Sequence, residues 1–201
     1  MSERRVEFFF DIASAYSWLA STQLEGLAAR TGARVVWRPF VLGFAFRATG
    51  NDTPARIPAK AAWLRADLDR WARRYGLGHA FPSRFPVPSM GALRLLTAAR
   101  RLEGEAVVPP LAAALFDAAW VRDADVADPI VLARCARDAG LDPEPLLAAL
   151  EAPETKAELK ANTDEAVRRG VFGAPTFLVG DALFWGNDRL DFVEQALCER
   201  G

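Results

Sequence analysis

Two hydrophobic patterns divide this chain. Short, dense apolar runs stand near its two ends, and long stretches of helical spacing fill the middle. Val6 to Phe10 is apolar and aromatic except for Glu7, which marks a short buried strand. Ala20, Leu24, Leu27 and Ala28 then recur at helical spacing, with Ser14 as candidate N-cap and Gly32 as the stop. Arg34 to Pro39 reads as a second strand. The opening is therefore β-α-β, compatible with a right-handed parallel unit.

The middle is helical almost throughout. Ile57, Ala61, Leu64, Leu68, Trp71 and Tyr75 step by 4, 3, 4, 3 and 4, an amphipathic helix that ends at Gly76. A second helix runs from Ser89 to Gly104, and Pro109-Pro110 open a third through Trp120. Asp128-Pro129 and Asp142-Pro143 each pair an N-cap with proline at the first helical position. Another helix covers Glu154 to Arg169. The segments Ala48 to Pro54 and His79 to Pro88 lack periodicity and read as loops.

Dense apolar spacing returns after Pro175. Thr176 to Val179 and Ala182 to Trp185 are two strands around a Gly180-Asp181 turn. Asn187 or Asp188 then caps a last helix, Leu190 to Glu199. A strand pair at either end cannot bury a face alone. The expectation is an α/β fold with one four-stranded mixed sheet. Residues 1–40 and 153–201 form a discontinuous α/β domain, and 41–152 an all-helical insertion.

Composition adds limits. The 201 residues suit one domain, or one domain with a large insertion, and 51% of them are apolar, enough for a sizeable core. A formal charge of −1 leaves no electrostatic footprint for nucleic acid. No apolar run approaches the ~20 residues of a bilayer span. The charged Met-Ser-Glu-Arg-Arg-Val start, with only a short apolar stretch after it, does not read as a secretion signal. The expectation is a soluble cytoplasmic protein. Cys135 and Cys198 show neither Cys-x-x-Cys nor metal-ligand spacing, so no metal site is expected and both cysteines read as small hydrophobes.

The candidate chemistry lies at the two ends. Proline at the mouth of a strand cannot donate to the ladder, and Ala174 before it can offer its main chain to an extended peptide. Ser14 would sit at a strand-to-helix turn, near the positive end of a helix, where anions such as thiolates are favoured.

In this order, several motifs resemble a known family: Phe10-Asp11-x-x-Ser14-x-Tyr16-Ser17-Trp18-Leu19, Gly50-Asn51, Ile57-Pro58-Ala59-Lys60, Phe85-Pro86, Gly173-Ala174-Pro175-Thr176-Phe177 and Trp185-Gly186-Asn187-Asp188-Arg189. They look like a thioredoxin-like, DsbA-type protein of the branch that holds 2-hydroxychromene-2-carboxylate isomerases and kappa-class glutathione transferases. The resemblance implies glutathione as cofactor and a small aromatic substrate, with no nucleic-acid or membrane partner. Ser14, where redox relatives carry cysteine, would donate a hydrogen bond to the glutathione sulfur. Pro175 would be cis, and Ala174 would pair with the cysteinyl backbone. Asn187 and Asp188 would hold the γ-glutamyl end, Asp188 taking its ammonium. Tyr16 and Asn51 would also touch cofactor, while Asn51, Lys60 and Trp18 would face substrate. Members are commonly homodimers. The implied activity is isomerisation to trans-o-hydroxybenzylidenepyruvate in naphthalene-type catabolism by reversible thiolate addition. A kappa-like transferase shares the same cofactor half, and a thiol-less DsbA-like peptide-binding module is the reading from another class. Two positions depart from the family's pattern. Ala15 replaces a usual proline, and Pro88 a usual asparagine on the substrate side, so the aromatic substrate stays open.

Overall fold

The computed structural model describes residues 4–199. Its centre is one sheet of strands β1 (Arg5–Phe10), β2 (Arg34–Pro39), β3 (Thr176–Val179) and β4 (Ala182–Trp185), in the order β2-β1-β3-β4. β1 runs parallel to β2 and antiparallel to β3, and β3 pairs antiparallel with β4. This is the mixed sheet expected from the pattern. Side chains alternate between faces along β1. Phe8 and Phe10 stack on one side, against Phe177, Trp37 and Phe116. Phe9 turns to the other side, towards Phe40, Val171 and Leu178. Both faces are covered, which is why β1 reads as a continuous apolar run. Burial of each such ring contributes about 1.5–3 kcal/mol.

Glu7 is the polar exception. It accepts from Arg169 at 2.7 Å and Arg38 at 3.0 Å, tying β1 to β2 and to the helix that precedes β3. Burial by itself would raise its pKa, but the two guanidinium groups prevail and hold it below the usual carboxylate range.

The helices are α1 (Ala15–Ser21), α2 (Leu24–Thr31), α3 (Leu42–Thr49), α4 (Pro58–Tyr75), α5 (Met90–Glu103), α6 (Val108–Trp120), α7 (Pro129–Asp138), α8 (Pro143–Ala148), α9 (Pro153–Arg168) and α10 (Leu190–Glu199). Helices α3 to α8 come from the 41–152 segment, and the main core runs unbroken from Phe8, Phe10 and Ile12 of the sheet into Leu93, Leu111 and Phe116 of these helices. No helix among the described residues is long and apolar enough to cross a membrane.

Two local readings need correction. The single helix expected from Ser14 to Gly32 is two. The Ser21 and Thr22 hydroxyls bond back to the Trp18 and Leu19 carbonyls, and the helical ladder breaks there. Helix α3 has no counterpart in the sequence pattern. Val41, its N-cap, supplies no side-chain bond; instead Thr163 Oγ1 accepts the Val41 N–H at 3.1 Å and Asp11 the Leu42 N–H at 2.9 Å. Its start is thus served from elements distant along the chain. Of the cysteines, Cys135 is buried, Cys198 is exposed, and both are free; burial pushes the Cys135 thiol up to about 11.

Candidate active site

Strand antiparallelism brings the two ends of the chain together. In the β1–β3 ladder Phe9 faces Thr176, so the turn leaving β1 must lie beside the loop entering β3. Ser14 lies in that turn and Ala174 in that loop. The Ser14 hydroxyl donates to the Ala174 carbonyl at 3.0 Å, and its oxygen accepts the Ser17 N–H at 3.1 Å as the N-cap of α1. Because α1 is only seven residues long, the hydroxyl outweighs the helix dipole as the polarising group here.

The surrounding backbone is held by side chains from afar. The Trp120 indole donates to the Ile12 carbonyl at 2.8 Å. Asp11, 2% exposed, accepts the N–H groups of Ala13 and Leu42, both at 2.9 Å, and so joins the Ser14 turn to α3. Burial raises its pKa. The Ala174–Pro175 peptide is cis, as is Phe85–Pro86. The Pro175 carbonyl accepts the Gly186 N–H at 3.0 Å. Asn51 donates to the Phe172 carbonyl at 3.0 Å, linking the loop after α3 to the loop before β3. The Trp185 ring lies directly on Gly173, where a Cβ would come within 2.4 Å of Nε1, so only glycine fits under it.

A cavity of about 670 Å³ opens over this junction. Ser14, Tyr16, Asn51, Lys60, Ala174, Asn187 and Asp188 all line it. Pro175 does not; its place is behind Ala174, against Gly186. Trp18 was expected on the substrate side and is instead in the core. It is 4% exposed and stacks on Trp120, which is itself fully buried and backs the cavity wall. His79 turns inward to pair with Asp69 at 2.9 Å and pack near Trp18.

One face of α4 forms a wall, with Lys60, Leu64, Asp67 and Trp71 spaced to share it. Asp67 was not among the expected site residues. Its signal was a carboxylate between Leu64 and Leu68, inside the apolar stripe. It accepts the Tyr16 hydroxyl at 2.8 Å. Burial, and then Asp67, push the Tyr16 phenol well above its ordinary range, so the phenol stays protonated. Phe46, Trp63, Phe85 and Trp185 supply apolar surface, and Arg56 joins Lys60 as a cation on the wall. Asn187 is 4% exposed, yet its Nδ2 completes no hydrogen bond. Burial raises the pKa of the neighbouring Tyr75 phenol, and Asn187 offsets only part of that rise. An unmet buried donor beside Asp188 leaves a polar need that a ligand can answer.

Comparison with known proteins agrees with this fold. A family model for the DsbA-like thioredoxin domain matches residues 5–198. A 2-hydroxychromene-2-carboxylate isomerase of Sphingobium xenophagum is 35% identical over 98% of this chain and 99% of its own. Human glutathione S-transferase kappa 1 is 28% identical over 98% of this chain and 92% of its own. A solved 2-hydroxychromene-2-carboxylate isomerase superposes with a TM-score of 0.84 at 27% identity, over 98% of this chain and 95% of the other. By the family match and the end-to-end similarity alike, the chain belongs to the DsbA-like thioredoxin family, on the branch where 2-hydroxychromene-2-carboxylate isomerases and kappa-class glutathione transferases meet.

Proposed function

We propose that the chain is a glutathione-dependent isomerase that interconverts 2-hydroxychromene-2-carboxylate and trans-o-hydroxybenzylidenepyruvate. What carries this reading is the meeting, at 3.0 Å, of the Ser14 hydroxyl and the Ala174 carbonyl on the wall of a cavity of about 670 Å³. A γ-glutamyl tripeptide thiol requires a donor for its sulfur, a main-chain edge for its cysteinyl unit and a polar pocket for its amino-acid head. Ser14, Ala174 and the Asn187–Asp188 pair offer these three, and the unpartnered Asn187 amide is a donor suited to a carboxylate. The residues present therefore fit glutathione. When bound, glutathione supplies a soft sulfur nucleophile that can add to a conjugated carbon and leave again, allowing a cis double bond to become trans.

The chain's own groups set the conditions for that chemistry. Ser14 donates to the sulfur and favours thiolate over thiol. Its hydrogen must first leave the Ala174 carbonyl, which is then open to a main-chain N–H of the ligand. Asn51 braces the 172–174 wall through Phe172. Lys60 and Arg56 can meet a substrate carboxylate. Phe46 and Phe85, backed by the buried Trp120, form the apolar surface that admits an aromatic ring and keeps water from it.

Loss of chromene absorbance on adding enzyme, only when glutathione is present, is the expected result. A chromene left unchanged in the complete mixture overturns the proposal. The likeness to kappa-class transferases favours a second reading, a transferase with the same cofactor site. Conjugation of chlorodinitrobenzene without chromene turnover would select it. The proposal includes a cytoplasmic location and a homodimer. Both rest on the resemblance, and sedimentation of the purified protein checks the second.

A further inference from the structure

The mechanism above gives no task to two carboxylates of this cavity, Asp52, which pairs with Arg56 at 2.8 Å, and Asp67. Asp67 stands midway along α4, with a side chain 14% exposed. Its Oδ2 accepts from Tyr16, and the neighbour of its Oδ1 is Arg70, 3.8 Å away on a side chain 59% exposed. Each carboxylate oxygen can accept about two hydrogen bonds. Asp67 therefore keeps acceptor capacity on the cavity side. Asp188 reaches the same region from a separate element, and both carboxylates bear on the Tyr16 phenol. Independently of these acids, the buried Asn187 lines the same cavity with its Nδ2 unpartnered. Two acceptors beside an unmet donor complement an α-amino-acid head, ammonium towards the carboxylates and carboxylate towards the amide.

We propose that Asp67 is a second acceptor for the ligand's α-ammonium, an assignment that rests on the thiol-binding reading, and that it makes the site select thiols with a free amino-acid head. Thiols whose amine is acylated or missing would be rejected, because they leave a carboxylate desolvated and unpaired.

The test is calorimetric binding of glutathione and of des-amino glutathione, its glutaryl-cysteinyl-glycine analogue, to the intact protein. The wild type should bind glutathione at least about tenfold more tightly, the scale of one charge-assisted hydrogen bond. Asp67→Asn should weaken glutathione about ten- to a hundredfold and change the analogue by no more than about twofold. Equal binding of both ligands by the wild type overturns the assignment without any variant, so it stays exposed even if Asp67→Asn folds poorly. Equal weakening of both ligands by Asp67→Asn also overturns it. So does a Tyr16→Phe protein that reproduces the same selective loss, since Asp67 would then act only by holding Tyr16. A wild type that takes up neither thiol removes the thiol-binding reading along with it.

Discussion

Replacing Ser14 with alanine separates its structural from its chemical role. The variant loses the cap to the Ser17 N–H at 3.1 Å and the bond to the Ala174 carbonyl at 3.0 Å. The cap contributes about 1 kcal/mol and the neutral hydrogen bond a similar amount at most. A loss of about 1–2 kcal/mol lowers the melting temperature of a chain this size by about 2–8 °C. Stabilities of about 5–15 kcal/mol absorb that, so the fold persists. On a bound thiolate, the hydroxyl contributes about 1.5–3 kcal/mol, less the roughly 1 kcal/mol of the Ala174 bond it gives up. The difference corresponds to about one pKa unit at 1.36 kcal/mol per unit. Titration of thiolate ultraviolet absorbance in the glutathione complex should place the Ser14→Ala midpoint about one unit above the wild type. Catalysis near neutrality should fall about tenfold if thiolate is the reacting form. A bound-thiol titration identical in the two proteins would refute the role given to Ser14, whatever happens to the melting temperature.

Three further outcomes follow from the geometry. Gly173→Ala would place a Cβ 2.4 Å from Trp185 Nε1, so the indole, 49% exposed, must leave its seat and its packing on Phe172. A shifted tryptophan emission and weaker glutathione binding are expected, with a stability loss of about 1–3 kcal/mol, and unchanged emission with unchanged affinity would contradict the close packing. Glu7→Gln removes the partner of Arg38 and Arg169 and should lower the unfolding free energy at neutral pH by about 1–3 kcal/mol. Because the folded-state pKa of Glu7 is depressed, its stabilisation is full above the ordinary value of 4.5 and fades as pH falls through the folded value; denaturant midpoints of wild type and variant should therefore converge in acid. Asp11 has the opposite sign. Its raised pKa makes the folded state hold the proton more tightly, so its contribution worsens as pH rises from 3.8 through the folded value. The wild-type advantage over Asp11→Asn should shrink along that rise, and a constant gap across it would rule out a buried ionising group.

Local patterns carried far. Val6 to Phe10, Arg34 to Pro39, Thr176 to Val179 and Ala182 to Trp185 were legible as strands, and Ser14, Asp128 and Asp142 as caps that the structure realises with side-chain bonds. Such features depend on neighbours a few residues away, and the order of elements then leaves few ways to build one sheet. Tertiary structure decided the rest. Helix α3 was invisible because Thr163 and Asp11 serve its first N–H groups across long stretches of chain. Trp18 and Trp120 are alike as letters. Both are buried, and only their packing on each other determines that Trp120 backs the cavity wall and Trp18 does not. Asp67 showed merely as a charge within an apolar stripe until α4 was laid over α1 and brought it to Tyr16. Hydrogen-bond partners and cavity walls are properties of groups that meet through space. Periodicity along the chain states which face a residue occupies, while the residue that waits opposite is settled by how the faces pack.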